Sequence, residues 1–491
     1  MSRSSANLRH RRQAQLATPA DATPPTGAPA ATTVADEDEE IVRRRWAIFA
    51  VVSMALLMGS IDQTIVATAL PRLQHDLHTS VNWSGWTITA YQLGAVLTLP
   101  VAGRIADLYG RRKVFMICVV IFTTSSLLCG MSTSIYMLVP LRAVQAIGGG
   151  AFMPSASGIV SESFGKDRDR AIGMFTSIFP LGALIGPVLG GIITQDWSWR
   201  GIFFINIPIG VLLVILGLRI LPGSAPRAAK RPDLAGTALL GVLLISAMYG
   251  ITSLGSGKES VISVPFLVPE LIAVIFAALL SRQMRHAENP IIPIRLLRER
   301  HFATMNLIAL LYGGTALGFA TLVPLFAHDR YHIEIFQAGT VLTARAIGAV
   351  AVASITSFML RRIGYRIPMV VGFALGAAGL ELLSIAPHGL STYFWLAFAA
   401  MILGLGGGIS APATNNAILS FAPDQVASIS GLRGMFRQVG GMITISVTTA
   451  IVARSGNEGV ALGHAFTLFA LVILLIAIPL VFTVPSRRGT W

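Results

Sequence analysis

The chain has 491 residues, of which 54% are hydrophobic and only 12% charged, with a mean hydropathy of +0.69. Soluble domains are about 25% charged because they must face water with polar surface, so these figures exclude an ordinary soluble protein. The net charge of +14 invites a nucleic-acid reading, yet the placement of the basic residues accounts for it otherwise.

Residues 1–42 are rich in Ala, Thr and Pro and carry the acidic run Asp36–Glu40. Such a composition predicts a disordered tail. It is not a signal peptide, because the first apolar run starts too late and is too long. A spanning helix needs about 20 mostly apolar residues. Runs of that kind lie near 46–70, 84–104, 114–132, 135–160, 171–195 and 200–221, then near 235–255 and 262–283. Six more lie near 302–326, 336–360, 367–386, 392–416, 429–453 and 464–484. The count is fourteen, so both termini fall on one side. Arg43–Arg45, Arg104 with Arg111–Lys113, Lys166/Arg168/Arg170, Arg227/Lys230/Arg231, the run Arg282–Arg300, Arg361/Arg362/Arg366 and Arg487/Arg488 all fall on that side too. The opposite loops hold only Arg72, Arg200, Lys258, Arg330 and Arg454. The positive-inside rule makes the basic side cytoplasmic. Topology therefore explains the charge, and no nucleic-acid partner is expected.

The division is a tail (1–42), six helices (43–221), a linker carrying two helices (222–301), six helices (302–484) and a short cytoplasmic tail (485–491). Two six-helix halves fit a transporter of parallel repeats with its site near the midplane. Cys118 and Cys129 have no metal or disulfide spacing. There is no Walker-type loop for ATP, and His75 with His78 lacks a third ligand at metal spacing. No enzymatic signature, metal or cofactor is expected.

After the second run comes Gly103-Arg-Ile-Ala-Asp107-Leu-Tyr-Gly110-Arg111-Arg112-Lys113. Asp107 and Arg111 can pair across the turn, Gly110 permits the turn, and Gly103 is expected to let two helices approach. The fifth run carries Gly173, Gly182, Gly186-Pro187 and Gly190-Gly191, a glycine stripe with a helix-breaking proline. The first run holds Asp62-Gln-Thr and ends at Pro71, the fourth holds Arg142-Ala-Val-Gln145, and Trp199–Pro208 reads WRGIFFINIP. Together these resemble the major facilitator superfamily, specifically its fourteen-helix drug:proton antiporter family, across residues 43–480. The loop resembles the signature gate of that family, and the glycine-proline motif resembles the one that marks its antiporter branch. Ala146 stands where the family usually has glycine. In the second half Ser357 and Arg361 stand where Gly103 and Asp107 stand in the first, so a second gate cannot use the same charge pairing.

The resemblance implies an all-α integral membrane protein of the major facilitator fold: two six-helix bundles plus two extra helices. It also implies export of small amphiphilic compounds (drugs, toxic cations or a secondary metabolite), driven by the proton gradient without a cofactor, from a bacterial cytoplasmic membrane. An ionisable residue inside a span is a functional hypothesis by default. Asp62 and Arg142 fall at nearly equal depth, about 10–12 Å below the outer surface at about 1.5 Å per residue. They are expected to couple protons, with Gln145 shifting the balance. Arg345 and Glu381 are expected to pair structurally. Arg433 and Arg437 are expected to snorkel to headgroups, with the anchoring of an anionic group as the alternative, while Glu270 is expected near the outer interface. Two rival readings stay open: an importer or facilitator on the same fold, and a transport-dead sensor or scaffold.

Overall fold

The computed structural model describes residues 32–164, 171, 174–175, 178–223, 232–254, 260–287, 290, 299–385, 391–419 and 426–484. The expected terminal segment 485–491, most of the N-terminal tail and Gly173 lie outside these residues. Every described element is helical. The N-terminal half comprises α1 (Thr32–Asp76), α2 (Val81–Tyr109), α3 (Arg111–Gly130), α4 (Ile135–Phe164), α5 (Ile178–Asp196) and α6 (Gly201–Ile220). Then come α7 (Leu234–Leu254) and α8 (Val264–His286). The C-terminal half opens with α9, which runs Arg300–Gly313, through a π-helical turn Gly314–Phe319, to Ala320–Tyr331. It continues with α10 (Ile335–Ile363), α11 (Arg366–Ser384), α12 (Thr392–Leu419) and α13 (Val426–Val452). The last helix, α14, runs Glu458–Val472, a π-turn Ile473–Ala477 and Ile478–Phe482.

Helix α1 begins at Thr32, before the expected boundary at residue 43. Residues 32–43 contain neither Gly nor Pro, so nothing in the sequence breaks the helix until Pro29.

Thirteen of the described helices are long and apolar enough to cross a membrane. The fourteenth, α2, falls short in hydropathy because it carries Asn82, Ser84, Thr87, Thr89 and Gln92. All five are buried, so α2 meets other helices where its neighbours meet lipid. Within the N-terminal half α4 packs on both α2 and α3, and in the C-terminal half α12 packs on both α10 and α11.

The halves meet through α5 against α10 and α2 against α13. The close approaches lie at the end away from the basic loops, here called the far face. A Cβ on Gly191 would come within 2.9 Å of the Phe336 Cα, and one on Gly339 within 2.5 Å of the Pro187 carbonyl oxygen. The Thr449 hydroxyl donates to Asn82 Oδ1 at 3.3 Å. Helix α7 lies in the same seam against α2 and α13. Its Thr252 carbonyl accepts from Asn82 Nδ2 at 2.6 Å, and its hydroxyl accepts from Trp86 Nε1 at 2.7 Å. Helix α8 packs on α7 and buries little, with only Ala273 and Leu280 buried. The first extra helix is thus wired into the junction of the halves, and the second faces lipid.

Candidate functional site

Asp62, Arg142 and Gln145, singled out from the sequence, meet inside the N-terminal half, with relative exposures of 0%, 1% and 0%. Helix α1 supplies Asp62, and α4 supplies Arg142 with Gln145 one turn further on. Arg142 Nη1 donates to Asp62 Oδ2 at 2.7 Å and to Gln145 Oε1 at 2.6 Å. Gln145 Nε2 donates to Asp62 Oδ1 at 2.9 Å. Asn206 of α6 was quoted only as part of a motif, yet it joins the cluster, with its Nδ2 donating to Asp62 Oδ1 at 3.0 Å.

Further contacts close the cluster. Ser126 of α3 accepts from Gln145 Nε2 at 3.1 Å and Asn206 Nδ2 at 3.0 Å, and donates to the Phe203 carbonyl at 2.9 Å. Arg142 Nε donates to the Thr87 carbonyl of α2 at 3.3 Å. The guanidinium stacks 4.3 Å from the Tyr91 ring centroid and 5.5 Å from that of Phe203, a cation–π cradle. Five helices of one half therefore converge on one carboxylate.

That carboxylate accepts three hydrogen bonds, two on Oδ1 and one on Oδ2, and donates none. The arrangement fits the ionised form, since a buried charge survives only when paired and bonded. A proton arriving at Oδ2 would compete with the Arg142 contact, and Arg142 would keep Gln145 Oε1, the Thr87 carbonyl and the Tyr91 ring.

The residues flanking Asp62 on α1 dock onto the glycine stripe of α5. Gly182, Gly186 and Gly190 face Ser60, Thr64 and Thr68 in turn, each pair so close that a Cβ would collide with the hydroxyl-bearing side chain. Both rows repeat every four residues, one helical face, and small residues at such a seam are what brings membrane helices together. Ser60 Oγ also donates to the Phe179 carbonyl at 2.6 Å. Pro187 and Gly191 lie on the other side of α5, against α10. The motif thus joins α1, which carries Asp62, to the opposite half.

In the loop between α2 and α3, Gly110 adopts φ 92°, a conformation that favours glycine. Arg111 donates to Asp107 Oδ1 from Nε at 3.1 Å and from Nη2 at 2.9 Å. It also reaches α4, donating to the Gly158 carbonyl at 2.7 Å and lying 3.4 Å from Glu162 Oε1. Arg112 donates to the Leu218 carbonyl at the end of α6 at 2.6 Å. Both arginines therefore brace the basic end of one half. Gly103 is a correction: a Cβ there would meet only the Pro154 Cβ, at 3.8 Å. The tight glycine of α2 is instead Gly94, against the Ala143 carbonyl.

The sequence matches the profile of the Major Facilitator Superfamily over residues 52–445 and again over 305–490. The chain belongs to the major facilitator superfamily. It is 31% identical over 411 residues to multidrug transporter protein MdtP of Bacillus subtilis (strain 168), covering 82% of this chain and 75% of that protein. It is 29% identical over 417 residues to the tetracenomycin C resistance and export protein of Streptomyces glaucescens, covering 84% and 76%. Its fold is similar to that of a POT family transporter solved with a thioalcohol-conjugated peptide, with a TM-score of 0.65 at 15% identity, covering 88% of this chain and 96% of that one. As a superfamily member the protein is a multi-pass membrane transporter, and the fourteen helices are its spans.

Two expectations about the remaining charges change, those for Arg345 and Arg433. Arg345 does not pair with Glu381. Its Nη2 instead donates to the Ala316 carbonyl, in the π-turn of α9, at 2.9 Å. Arg433 does not snorkel. It is 8% exposed and donates from Nη1 to Asn415 Oδ1 at 3.2 Å. Glu270 lies against Gly250 of α7, whose Cβ would come within 2.7 Å of its Oε1.

At the far face His75 and His78 line a cavity of about 350 Å3 together with His328 and Asp329 of the other half. Among the described residues no three His, Cys, Asp or Glu side chains come together as a metal site. Burial, reinforced by the charge of Glu458, pushes the Asp329 carboxyl up to about 7.

Proposed function

We propose that this transporter exports small amphiphilic organic compounds in exchange for protons by alternating access. Its basic face lies in the cytoplasm of a bacterial cytoplasmic membrane. The observation that carries the reading is the Asp62 carboxylate, fully buried and held by Arg142 at 2.7 Å. Such a group is costly in a membrane unless it has work to do. The relatives called multidrug transporter and export protein support the direction and the class of cargo.

The cycle follows from one competition. With the far face closed, as here, Asp62 is ionised and its acceptors are filled. When the far face opens to the outside, a proton binds Oδ2, the attraction to Arg142 falls, and α1 is released from α4. Because α1 is interlocked with α5, and α5 abuts α10, that release reaches the junction of the halves. Proton and cargo favour opposite states of this two-state carrier, and their exchange follows from differential binding. Proton release to the cytoplasm restores the bond to Arg142.

The test is transport in inverted membrane vesicles under an imposed proton gradient, with lipophilic cations and neutral amphiphiles as probes. Compound-dependent collapse of the gradient is expected in the parent and at least about tenfold less in Asp62→Asn. Equal collapse in the folded variant would remove Asp62 from the coupling path.

A further inference from the structure

The Asp62 cluster occupies the interior of the N-terminal half, among its first, second, third, fourth and sixth helices. The equivalent interior of the C-terminal half, among α9, α10, α11, α12 and α14, holds a different arrangement. There is no acid. A cavity of about 10 Å3 lies there, lined among others by Tyr312, Thr315, Arg345, Gly376, Gly407 and Ser410. That volume admits one water-sized group.

Arg345 is the charge in this cavity. It stands ten residues into α10 from Ile335, about 15 Å along the helix axis. No carboxylate lies within ion-pair distance of it among the described residues; the five recorded ion pairs all lie elsewhere. Its Nε–H is buried and has no acceptor. Arg345 is half-buried, and a guanidinium whose Nε–H is buried without a counter-charge or acceptor is unfavourable, unlike Arg142, which has both. The Tyr312 hydroxyl lies at the same cavity, 3.8 Å from where a Gly407 Cβ would stand. The hydroxyls of Thr315 and Ser410 already donate to their own helices, so the donors on offer are the Arg345 guanidinium, with its unpaired Nε–H, and the Tyr312 phenol. Both π-helical turns among the described residues contribute to the wall, through Thr315 and Ile473, and such turns recur at functional sites.

We propose that this interior binds one small monovalent anionic group, chloride-sized or a single carboxylate, held by Arg345 and Tyr312. The group is the missing counter-charge of the C-terminal half. A free inorganic anion and an acidic group borne by a transported compound share this chemistry.

Two glycines make the site testable without removing the charge. A Cβ on Gly376 would meet only the Thr315 Cγ2 at 4.0 Å, and one on Gly407 only the Tyr312 hydroxyl at 3.8 Å. Either alanine therefore fits the helix packing while taking up the cavity. Nearby Gly372, Gly404 and Gly406 abut backbone and have no such room.

The experiment follows thermal unfolding of the full-length protein in detergent by tryptophan fluorescence. Sodium chloride replaces sodium gluconate at constant ionic strength, and in a second arm decanoate is compared with decanol. A saturable rise in Tm with chloride in the parent assigns a free anion. A rise with decanoate alone assigns a carboxylate borne by an organic molecule. In either case the apparent affinity falls at least about tenfold in Arg345→Met and in Gly376→Ala. Should Arg345→Met fail to fold, Gly376→Ala and Gly407→Ala decide. No anion-dependent shift in the parent, or one unchanged in the variants, overturns the site. Transport is not read, so the outcome is independent of proton coupling.

Discussion

At the Asp62 carboxylate, removing one partner and removing both should have opposite consequences. Asp62→Asn leaves Arg142 buried and uncompensated, and Arg142→Met leaves the carboxylate so; each is expected to lose about 3–5 kcal/mol of stability. The double variant recovers much of that loss, because two neutral groups need no counter-charge, while proton coupling stays abolished. Thermal unfolding beside vesicle transport separates these outcomes. Asn206→Ala removes one donor to Oδ1 and one to Ser126, and should cost about 1–3 kcal/mol without abolishing coupling. Asp62, Arg142 and Gln145 could be read from the sequence because charge and amide inside apolar runs are expensive. Their equal depth allowed contact but did not require it. Asn206 stood in view in the sixth helix without a role, since asparagine also serves as glue between membrane helices. The Thr87 carbonyl, Ser126 and the Tyr91 ring left no signal, because backbone carbonyls, serines and aromatics occur in nearly every span.

At the level of helices, the interlock of α1 with α5 predicts compensation. Gly186→Ala places a methyl on the Thr64 hydroxyl and should lower Tm and transport together. Thr64→Ala loses only the local bonds from its hydroxyl to the Ser60 and Ile61 carbonyls, so the double variant should recover most of both. Gly103→Ala should change stability by no more than about 0.5 kcal/mol, since a methyl has room there. The glycine stripe was legible as a packing surface from its spacing, but its partner was not. Which helix receives a stripe depends on the bundle, and Ser60, Thr64 and Thr68 look like ordinary membrane polar residues. Gly103 was misread for the converse reason: a motif position carries the residue type and omits its neighbours.

Across the whole molecule, the far face should respond to pH. The Asp329 carboxyl is raised to about 7 from an unfolded value near 4. Folding therefore favours its protonated form, and the stability it contributes is full below about pH 4 and lost as pH rises through about 7. Asp329→Asn mimics the protonated group, so the Tm of the variant should pull ahead of the parent across that interval and level off above it. The overall plan was the most legible feature, because spans, basic loops and repeat order are written in long runs of residue type. The Arg345–Glu381 pairing was not, since two lone charges in adjacent spans suggest each other until the π-turn of α9 supplies another acceptor.

The polar burial of α2 bears on how the chain is made. A helix that carries Asn82, Ser84, Thr87, Thr89 and Gln92 on its first turns gains little by entering lipid alone, and its acceptable surroundings arrive only with α4, α7 and α13. Its integration is therefore expected to be deferred until those later segments emerge. A nascent chain stopped after α3 should leave α2 extractable by alkaline carbonate or open to added protease, and one extended through α7 should shield it.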